Sequence, residues 1–246
     1  MASKREGERP RARGSPLRPP SGEAPKVRDL PAPRRNQSFI GPLFRQDFKW
    51  PYRVALAGLY RAGFLPWQIT LLSLAANGAI GWLLVTGERF VPGLLLIVAG
   101  VLDILDGGLA RLRGEESTAG AFLDSVMDRI SDVVLFGALF WSEAGQGHRL
   151  TAALALTSLI VSLLVSHIRA EGEAVGLKLT EGVFQRLERY VALMVGLTAP
   201  GSLAYVLAIL SGLGAVTIVQ RSASAWRQLV GGNERHPAQA HLPSPK

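Results

Sequence analysis

Four aspartates, Asp103, Asp106, Asp124 and Asp128, stand inside two otherwise apolar stretches of the chain. Residues three or four positions apart share one face of an α-helix, so Asp103 and Asp106 should project together. The same rule joins Asp124 and Asp128. An unpaired aspartate near the centre of a bilayer costs about 2.5–3.5 kcal/mol, so four of them would offset most of the stability of a domain. We therefore expect cations between these helices.

Carboxylate oxygens are hard ligands, which favours Mg²⁺ or Mn²⁺ over Zn²⁺ at such an acidic cluster. Two ions about 3.5–4 Å apart can stabilise both the attacking and the leaving oxygen of a phosphoryl substitution. The pattern alone leaves two other interpretations open. The aspartates also fit polar positions in a soluble helical bundle, or the ion pathway of a divalent-cation transporter, which would move metal ions without forming a chemical product.

The composition is typical of a membrane protein with a polar tail. Of the 246 residues, 48% are hydrophobic and the mean hydropathy is +0.22, with the apolar residues concentrated beyond residue 54. The net charge is +8, and much of the basic surplus precedes residue 65, where anionic lipid or nucleic acid is the usual partner. The sequence has no cysteine, which excludes disulfides, cysteine-based zinc sites and thiol nucleophiles.

Both ends of the chain are predicted to lie outside the folded domain. Residues 1–40 are rich in Pro, Arg, Gly and Ser, so we predict a disordered basic tail. No aromatic residue interleaves with its arginines before Phe39, which favours attraction to lipid over nucleic-acid binding. Residues 41–64 mix aromatic and cationic side chains as membrane interfaces do, and 51–63 is expected to form an amphipathic helix lying on the membrane. A disordered C-terminal tail is predicted over 228–246.

The predicted fold class is an all-α integral membrane protein, in which six transmembrane helices at 65–227 follow a short N-terminal juxtamembrane amphipathic helix. Each apolar stretch approaches the length that crosses about 30 Å of hydrocarbon. Loops at one end, including Arg111 and Arg113, carry most of the arginines. The positive-inside rule therefore places both termini and the aspartates on the cytoplasmic side of the cell membrane. The predicted spans are 65–86, 91–112, 119–142, 150–168, 184–200 and 202–221.

The spacing D-x2-D-G-x2-A-R-x8-G-x3-D-x3-D, which runs from Asp103 to Asp128, resembles the signature of the CDP-alcohol phosphatidyltransferase family. Every fixed position of that signature is present, and the resemblance covers roughly 55–227. It implies that Asp103, Asp106 and Asp124 bind metal ions at a two-ion site. Asp128 would act as general base and as a further metal ligand. The residues implied to bind CDP-diacylglycerol are Trp67, Gln68, Ile69, Thr70, Gly107, Arg111 and Ser117.

Small and basic residues after the second aspartate have physical reasons of their own. Gly107 and Gly108 lack the side chain that would hold a nucleotide or a second helix at a distance, and for Gly108 both roles stay open. Arg111 lies one helical turn beyond Gly107 and can form charge-assisted hydrogen bonds to a pyrophosphate.

A second region, from Ser166 to Arg189, resembles the stretch after the fourth helix of phosphatidylinositol phosphate synthases, the branch of that family whose acceptor is inositol 1-phosphate. A phosphorylated acceptor needs fixed cations, and arginine binds phosphate through two parallel hydrogen bonds. The alternative is that these arginines pair with neighbouring glutamates. The sequence departs from the branch at His167 and Glu171, where a tyrosine and a basic residue are common. The predicted ligands of the acceptor phosphate are Arg169, Arg189 and Arg221.

These features predict an enzyme that transfers a phosphatidyl group from CDP-diacylglycerol to a phosphorylated polyol, with release of CMP. The preferred acceptor is inositol 1-phosphate (1D-myo-inositol 3-phosphate), which gives phosphatidylinositol phosphate. The alternatives are a phosphatidylglycerophosphate synthase that uses glycerol 3-phosphate and, outside enzymes, a divalent-cation transporter. The expected partners are the two substrates and membrane lipids rather than nucleic acid, and the resemblance implies a homodimer.

Overall fold

The computed structural model describes residues 49–177, 179 and 186–233, and every regular element in those ranges is an α-helix. The predicted tail at 1–40 lies outside the described residues. The helices are α1 (Lys49–Arg61), α2 (Pro66–Val85), α3 (Phe90–Arg113), α4 (Thr118–Gly145), α5 (Arg149–Ala174), α6 (Arg186–Thr198) and α7 (Leu203–Asn233).

Six of these helices form a closed ring. Helix α2 packs against α3 and α4, α3 packs against α6, and the contacts α4–α5, α5–α7 and α6–α7 complete the circle. A hydrogen bond between Thr70 and Asp106 joins the start of α2 to the later part of α3, and one from Arg221 to the carbonyl oxygen of Val165 joins the second halves of α7 and α5. Polar contacts of four helices therefore lie toward one end of the ring.

The inside of the ring is filled by aliphatic side chains. Leu96, Leu135, Leu193 and Leu207, from four different helices, are each completely buried. A Cβ atom placed on Gly81 would lie 2.7 Å from the Cγ1 atom of Val134, so α2 and α4 approach more closely than a larger residue would allow. Burial of these side chains holds the six helices at fixed distances around the polar end.

The outer surface carries large apolar side chains. Trp82, Trp141 and Tyr205 are 71%, 68% and 74% exposed, and soluble monomers rarely present so wide an apolar surface. Within the described residues, four helices are long and apolar enough to cross a membrane: α2, α3, α5 and the part of α7 at Leu203–Val230. The chain is therefore a multi-pass membrane protein by the length and composition of its helices.

Two predicted regions are compared with the helices of the structure. The prediction of six spans is met by four helices on length and composition, because α6 is described over only 13 residues and the 28-residue α4 carries charges such as Asp124 and Arg129. Helix α7 continues to Asn233, past the predicted start of the C-terminal tail at 228. No proline interrupts residues 203–233, so nothing in the sequence stops the helix at residue 227.

The end of the ring opposite the aspartates carries an ion pair whose carboxylate is buried. Glu143 is only 2% exposed, and its two carboxylate oxygens contact the guanidinium group of Arg89 and, at 3.0 Å, the Nδ1 atom of His148. These contacts connect the α2–α3 loop to the α4–α5 loop. Glu143 is thus a buried carboxylate with a structural partner, remote from the four signature aspartates.

The juxtamembrane helix predicted at 51–63 is α1, and it packs on the outer side of α3. Its buried residues Tyr52 and Leu56 form a small apolar cluster with Leu105 and Leu109 of α3 and Ile69 of α2. Because this cluster lies beside the end of α3, helix α1 is coupled to the segment that carries the signature residues.

Candidate active site

The turn between α3 and α4 brings two halves of the signature together. Gly114 ends α3 with φ 66°, a left-handed conformation that glycine adopts without steric cost, and its N–H contacts the carbonyl oxygens of Ala110 and Arg111. Ser117 begins α4 as its N-cap, where its hydroxyl oxygen accepts a hydrogen bond of 3.0 Å from the N–H of Gly120. The last turns of α3 therefore lie beside the first turns of α4.

Three of the four predicted metal ligands meet beside this turn. One carboxylate oxygen from each of Asp103, Asp106 and Asp124 lies within 4.8 Å of the others. Asp106 is 5% exposed, Asp103 is partly buried and Asp124 is exposed, so the group runs from the protein interior to the surface. Three hard oxygen ligands at this spacing fit a divalent cation such as Mg²⁺ or Mn²⁺.

Asp106 is oriented by two hydrogen bonds. The hydroxyl of Thr70 donates to its Oδ2 atom at 2.9 Å, and the N–H of Gly107 donates to its Oδ1 atom. These donors fix the carboxylate from α2 and from its own helix, as the supporting partners of a metal ligand commonly do. The two contacts hold the Asp106 carboxylate in a defined orientation.

Asp128 does not belong to the group of oxygens within 4.8 Å, which has three members among the described residues. It stands four residues beyond Asp124 on α4 and shares its face, and it is partly buried. Its predicted roles as metal ligand and general base remain predictions.

The residues predicted to bind the nucleotide have different surroundings. Trp67 is 51% exposed, whereas Ile69 is completely buried in the α1–α3 cluster, so the Ile69 side chain serves packing. The Oε1 atom of Gln68 accepts a hydrogen bond of 2.9 Å from the N–H of Leu65 and helps to begin α2. Thr70 and Ser117 have the hydrogen bonds to Asp106 and Gly120 given above.

Arg111 folds back along α3 toward the acidic group. Its Nη1 atom would lie 3.7 Å from a Cβ atom on Gly107, so the guanidinium group rests over that glycine. On the neighbouring side of the helix, a Cβ atom on Gly108 would overlap the hydroxyl of Tyr52 and lie 3.1 Å from its Cζ atom. Gly108 thus has a packing role, in the close approach of α1 to α3.

The predicted phosphate-binding arginines are not equivalent. Arg189 donates a hydrogen bond of 2.8 Å to the Oδ2 atom of Asp132, which is 3% exposed. Arg221 is 8% exposed and donates to the carbonyl oxygen of Val165 at 2.8 Å. Arg169 is exposed and forms a surface ion pair of 2.8 Å with Glu173, four residues later on α5. The Arg169 side chain therefore pairs with a neighbouring glutamate, as the alternative interpretation of these arginines predicts.

A polar network around Asp132 was only partly anticipated. The sequence predicts that Asp132, one turn beyond Asp128 on the same face, pairs with Arg129 or another cation, and in the structure this cation is Arg189. Ser162 also donates to Asp132, at 2.6 Å, and Arg129 contacts the carbonyl oxygen of Ser166. The signal in the sequence was the continuation of the Asp124 and Asp128 face by one more turn; no sequence signal identified Ser162.

Comparison with known proteins matches residues 63–222 to the family model of CDP-alcohol phosphatidyltransferases. The phosphatidylinositol phosphate synthase of Mycobacterium marinum is 34% identical over 179 residues, which cover 69% of this chain and 76% of that protein. The archaetidylinositol phosphate synthase of Methanothermobacter thermautotrophicus is 33% identical over 149 residues, which cover 58% of this chain and 74% of that protein.

Two crystal structures of the phosphatidylinositol phosphate synthase of Mycobacterium tuberculosis share the fold and are 31% identical in sequence. The structure with CDP-DAG bound has a TM-score of 0.64, covering 70% of this chain and 92% of that one. The complex with manganese and citrate has a TM-score of 0.65, covering 70% and 87%. A structural relative of this chain has therefore been crystallised with a divalent metal ion, in line with the chemistry of the acidic group.

Proposed function

The chain belongs to the CDP-alcohol phosphatidyltransferase family, and we propose that it transfers the phosphatidyl group of CDP-diacylglycerol to inositol 1-phosphate. The products would be CMP and phosphatidylinositol phosphate. The observation that carries the proposal is the acidic group of Asp103, Asp106 and Asp124, whose oxygens lie within 4.8 Å of one another inside the complete family signature. The names of the relatives support the same reaction.

The acidic group would hold two Mg²⁺ or Mn²⁺ ions, with Asp103, Asp106 and Asp124 as ligands and Asp128 as a further one. When bound, such ions neutralise the negative charge of a diphosphate and stabilise the departing phosphate oxygen. Asp128 would accept the proton of the acceptor hydroxyl. The manganese complex of the Mycobacterium tuberculosis enzyme supports the metal.

The nucleotide would lie between the start of α2 and the end of α3. Arg111 would form charge-assisted hydrogen bonds to the diphosphate, and Gly107 would allow its close approach. Thr70 would act through Asp106, to which its hydroxyl already donates. Further contacts are proposed for Trp67, Gln68, the backbone of Ile69, and Ser117.

The acceptor phosphate would lie on the side of Arg189 and Arg221, two partly or fully buried cations supported by Asp132 and by a backbone carbonyl. Arg169 would contribute at the rim of this site. Fixed guanidinium groups suit a phosphorylated polyol because they bind phosphate in a defined orientation.

We propose that all six helices of the ring cross the membrane, and that their neighbours shield the charged side chains of α4 and α6 from the lipid. The aspartate end would face the cytoplasm, as the arginine-rich loops at that end require. Helix α1 would lie along the interface. We further propose a homodimer in the cell membrane.

A direct comparison of acceptors tests the proposal. Purified protein in lipid nanodiscs is given labelled CDP-diacylglycerol and Mg²⁺, with either inositol 1-phosphate or glycerol 3-phosphate, and the lipid products are separated. The expected result is CMP release with phosphatidylinositol phosphate as the product and at least about tenfold slower turnover of glycerol 3-phosphate, a difference of about 1.4 kcal/mol in barrier height. Faster turnover of glycerol 3-phosphate would show that it, and not inositol 1-phosphate, is the preferred acceptor. No CMP release with either acceptor would refute the proposal.

A further inference from the structure

The contact between α1 and α3 contains unusual buried polar atoms. Among the described residues, three buried side-chain nitrogen or oxygen atoms have no hydrogen-bond partner: the hydroxyl oxygen of Tyr52 and the Nε atoms of Arg53 and Arg113. All three lie on α1 or on the last turn of α3. Such atoms are uncommon in folded proteins, because a buried polar atom loses its hydrogen bonds to water and normally gains a protein partner in exchange. Each one therefore calls for an explanation.

The Tyr52 side chain is held firmly in place. It is 2% exposed, its ring belongs to the cluster with Leu56, Leu105 and Leu109, and its hydroxyl lies directly over Gly108. A phenylalanine would fill the same space at this position. The hydroxyl group is therefore not explained by packing.

The polar neighbour of this hydroxyl is Arg111. The guanidinium group of Arg111 lies over Gly107, the residue next to Gly108. It acts on the Tyr52 hydroxyl through its charge and as a side-chain hydrogen-bond donor, at a geometry looser than that of a well-formed hydrogen bond. Burial raises the pKa of Tyr52 and the positive charge of Arg111 opposes this rise, so the hydroxyl is neutral at physiological pH. A neutral hydroxyl can accept a hydrogen bond from an arginine.

We propose that Tyr52 is a positioning residue, whose hydroxyl restrains the guanidinium group of Arg111 over Gly107 in the orientation that binds the diphosphate of CDP-diacylglycerol. This inference rests on the proposed function of the site. It gives α1, which lies outside the residues 63–222 matched to the family, a part in nucleotide binding. It also accounts for glycine at position 108, since any side chain there would displace the hydroxyl.

The test is the affinity of purified protein for CDP-diacylglycerol, measured by direct titration in the presence of Mn²⁺, together with the melting temperature. Tyr52→Phe keeps the ring and removes only the hydroxyl, and should weaken binding about tenfold with an unchanged melting temperature. Tyr60→Phe is the matched control, because the Tyr60 ring packs on Arg113, 5.2 Å from its guanidinium carbon to the ring centroid, and needs no hydroxyl for that contact. The control should bind as the wild type does.

A double-mutant cycle identifies the residue through which Tyr52 acts. In an Arg111→Ala background, Tyr52→Phe should cause no further loss of affinity. Equal affinity of Tyr52→Phe and wild type would overturn the inference, as would an equal loss in both backgrounds. Turnover of the wild type, measured on the same preparation, distinguishes failure of this inference from failure of the proposed function. If the wild type turns over CDP-diacylglycerol and Tyr52→Phe binds it equally well, only this inference is refuted. If the wild type neither binds nor turns over CDP-diacylglycerol, the proposed function is refuted as well.

Discussion

Replacement of Asp106 by Asn should lower CMP release from CDP-diacylglycerol by about a thousandfold or more, equal to about 4 kcal/mol of barrier height. Asp106 is the most buried member of the acidic group and its two oxygens are oriented by Thr70 and Gly107. Asparagine has nearly the same shape but no charge, so the helices should pack as before while divalent cations are held far less tightly. The rate is measured per mole of folded protein, with circular dichroism as the check on folding.

Glu143→Gln is the matched control for this substitution. Glu143 is as buried as Asp106, at 2% and 5% exposed, but it lies at the opposite end of the ring in contact with Arg89 and His148. Its neutralisation should lower the melting temperature and leave CMP release per folded molecule unchanged. Wild-type rates in the Asp106 variant, or an equal loss of rate in both variants, would contradict the assignment of the acidic group.

The second large effect is expected at Arg189. Arg189→Gln should raise the KM for inositol 1-phosphate by about thirtyfold or more, because truncating a partly buried, hydrogen-bonded charge costs about 2 kcal/mol. The KM for CDP-diacylglycerol should change little, since the proposed nucleotide contacts lie on α2 and α3. Initial rates measured with one substrate varied at a time separate the two constants.

Arg169→Gln provides the comparison within the same predicted set. The Arg169 side chain is 59% exposed and pairs with the 58% exposed Glu173, a kind of surface pair worth little free energy. In the Arg169→Gln variant, the KM for inositol 1-phosphate should rise less than fivefold, a change of about 1 kcal/mol or less. If Arg169→Gln raised that constant more than Arg189→Gln, the acceptor phosphate would lie at the surface of α5, and the inner position would be wrong.

The acidic group could be predicted because its residues are close together in the sequence. Asp103 and Asp106 are three residues apart on one helix, and a short turn at Gly114 joins that helix to the one that carries Asp124. Helical periodicity then determines which side chains face each other. The resemblance to the family signature added the chemistry of the group to this geometry.

Contacts between distant segments could not be predicted in the same way. Asp132 and Arg189 are 57 residues apart, and helical periodicity does not specify which cation on another helix meets a given carboxylate. The position of Tyr52 over Gly108 has the same origin, because it depends on how α1 crosses α3. Sequence reasoning gave Arg169 and Arg189 equal roles, while their different burial follows from the packing of α5 and α6 within the ring.

Six spans were predicted, whereas four helices among the described residues meet the length and composition of a membrane span. A transmembrane helix surrounded by others can carry charges that face its neighbours. Helix α4 combines Asp124, Asp128 and Asp132 with a length of 28 residues. Hydropathy along one helix does not register that shielding. The charged face that lowers the apolar character of α4 is the same face that carries the site.

Binding of Mn²⁺ tests the central claim most directly. Free Mn²⁺ in solution gives a sharp six-line electron paramagnetic resonance signal that is lost on binding, so titration of chelator-treated protein counts the ions held. We predict that the wild type removes two Mn²⁺ ions per chain from solution and that Asp106→Asn, folded to the same extent, leaves them free. Unbound Mn²⁺ with the wild type, or equal binding by the variant, would contradict the account.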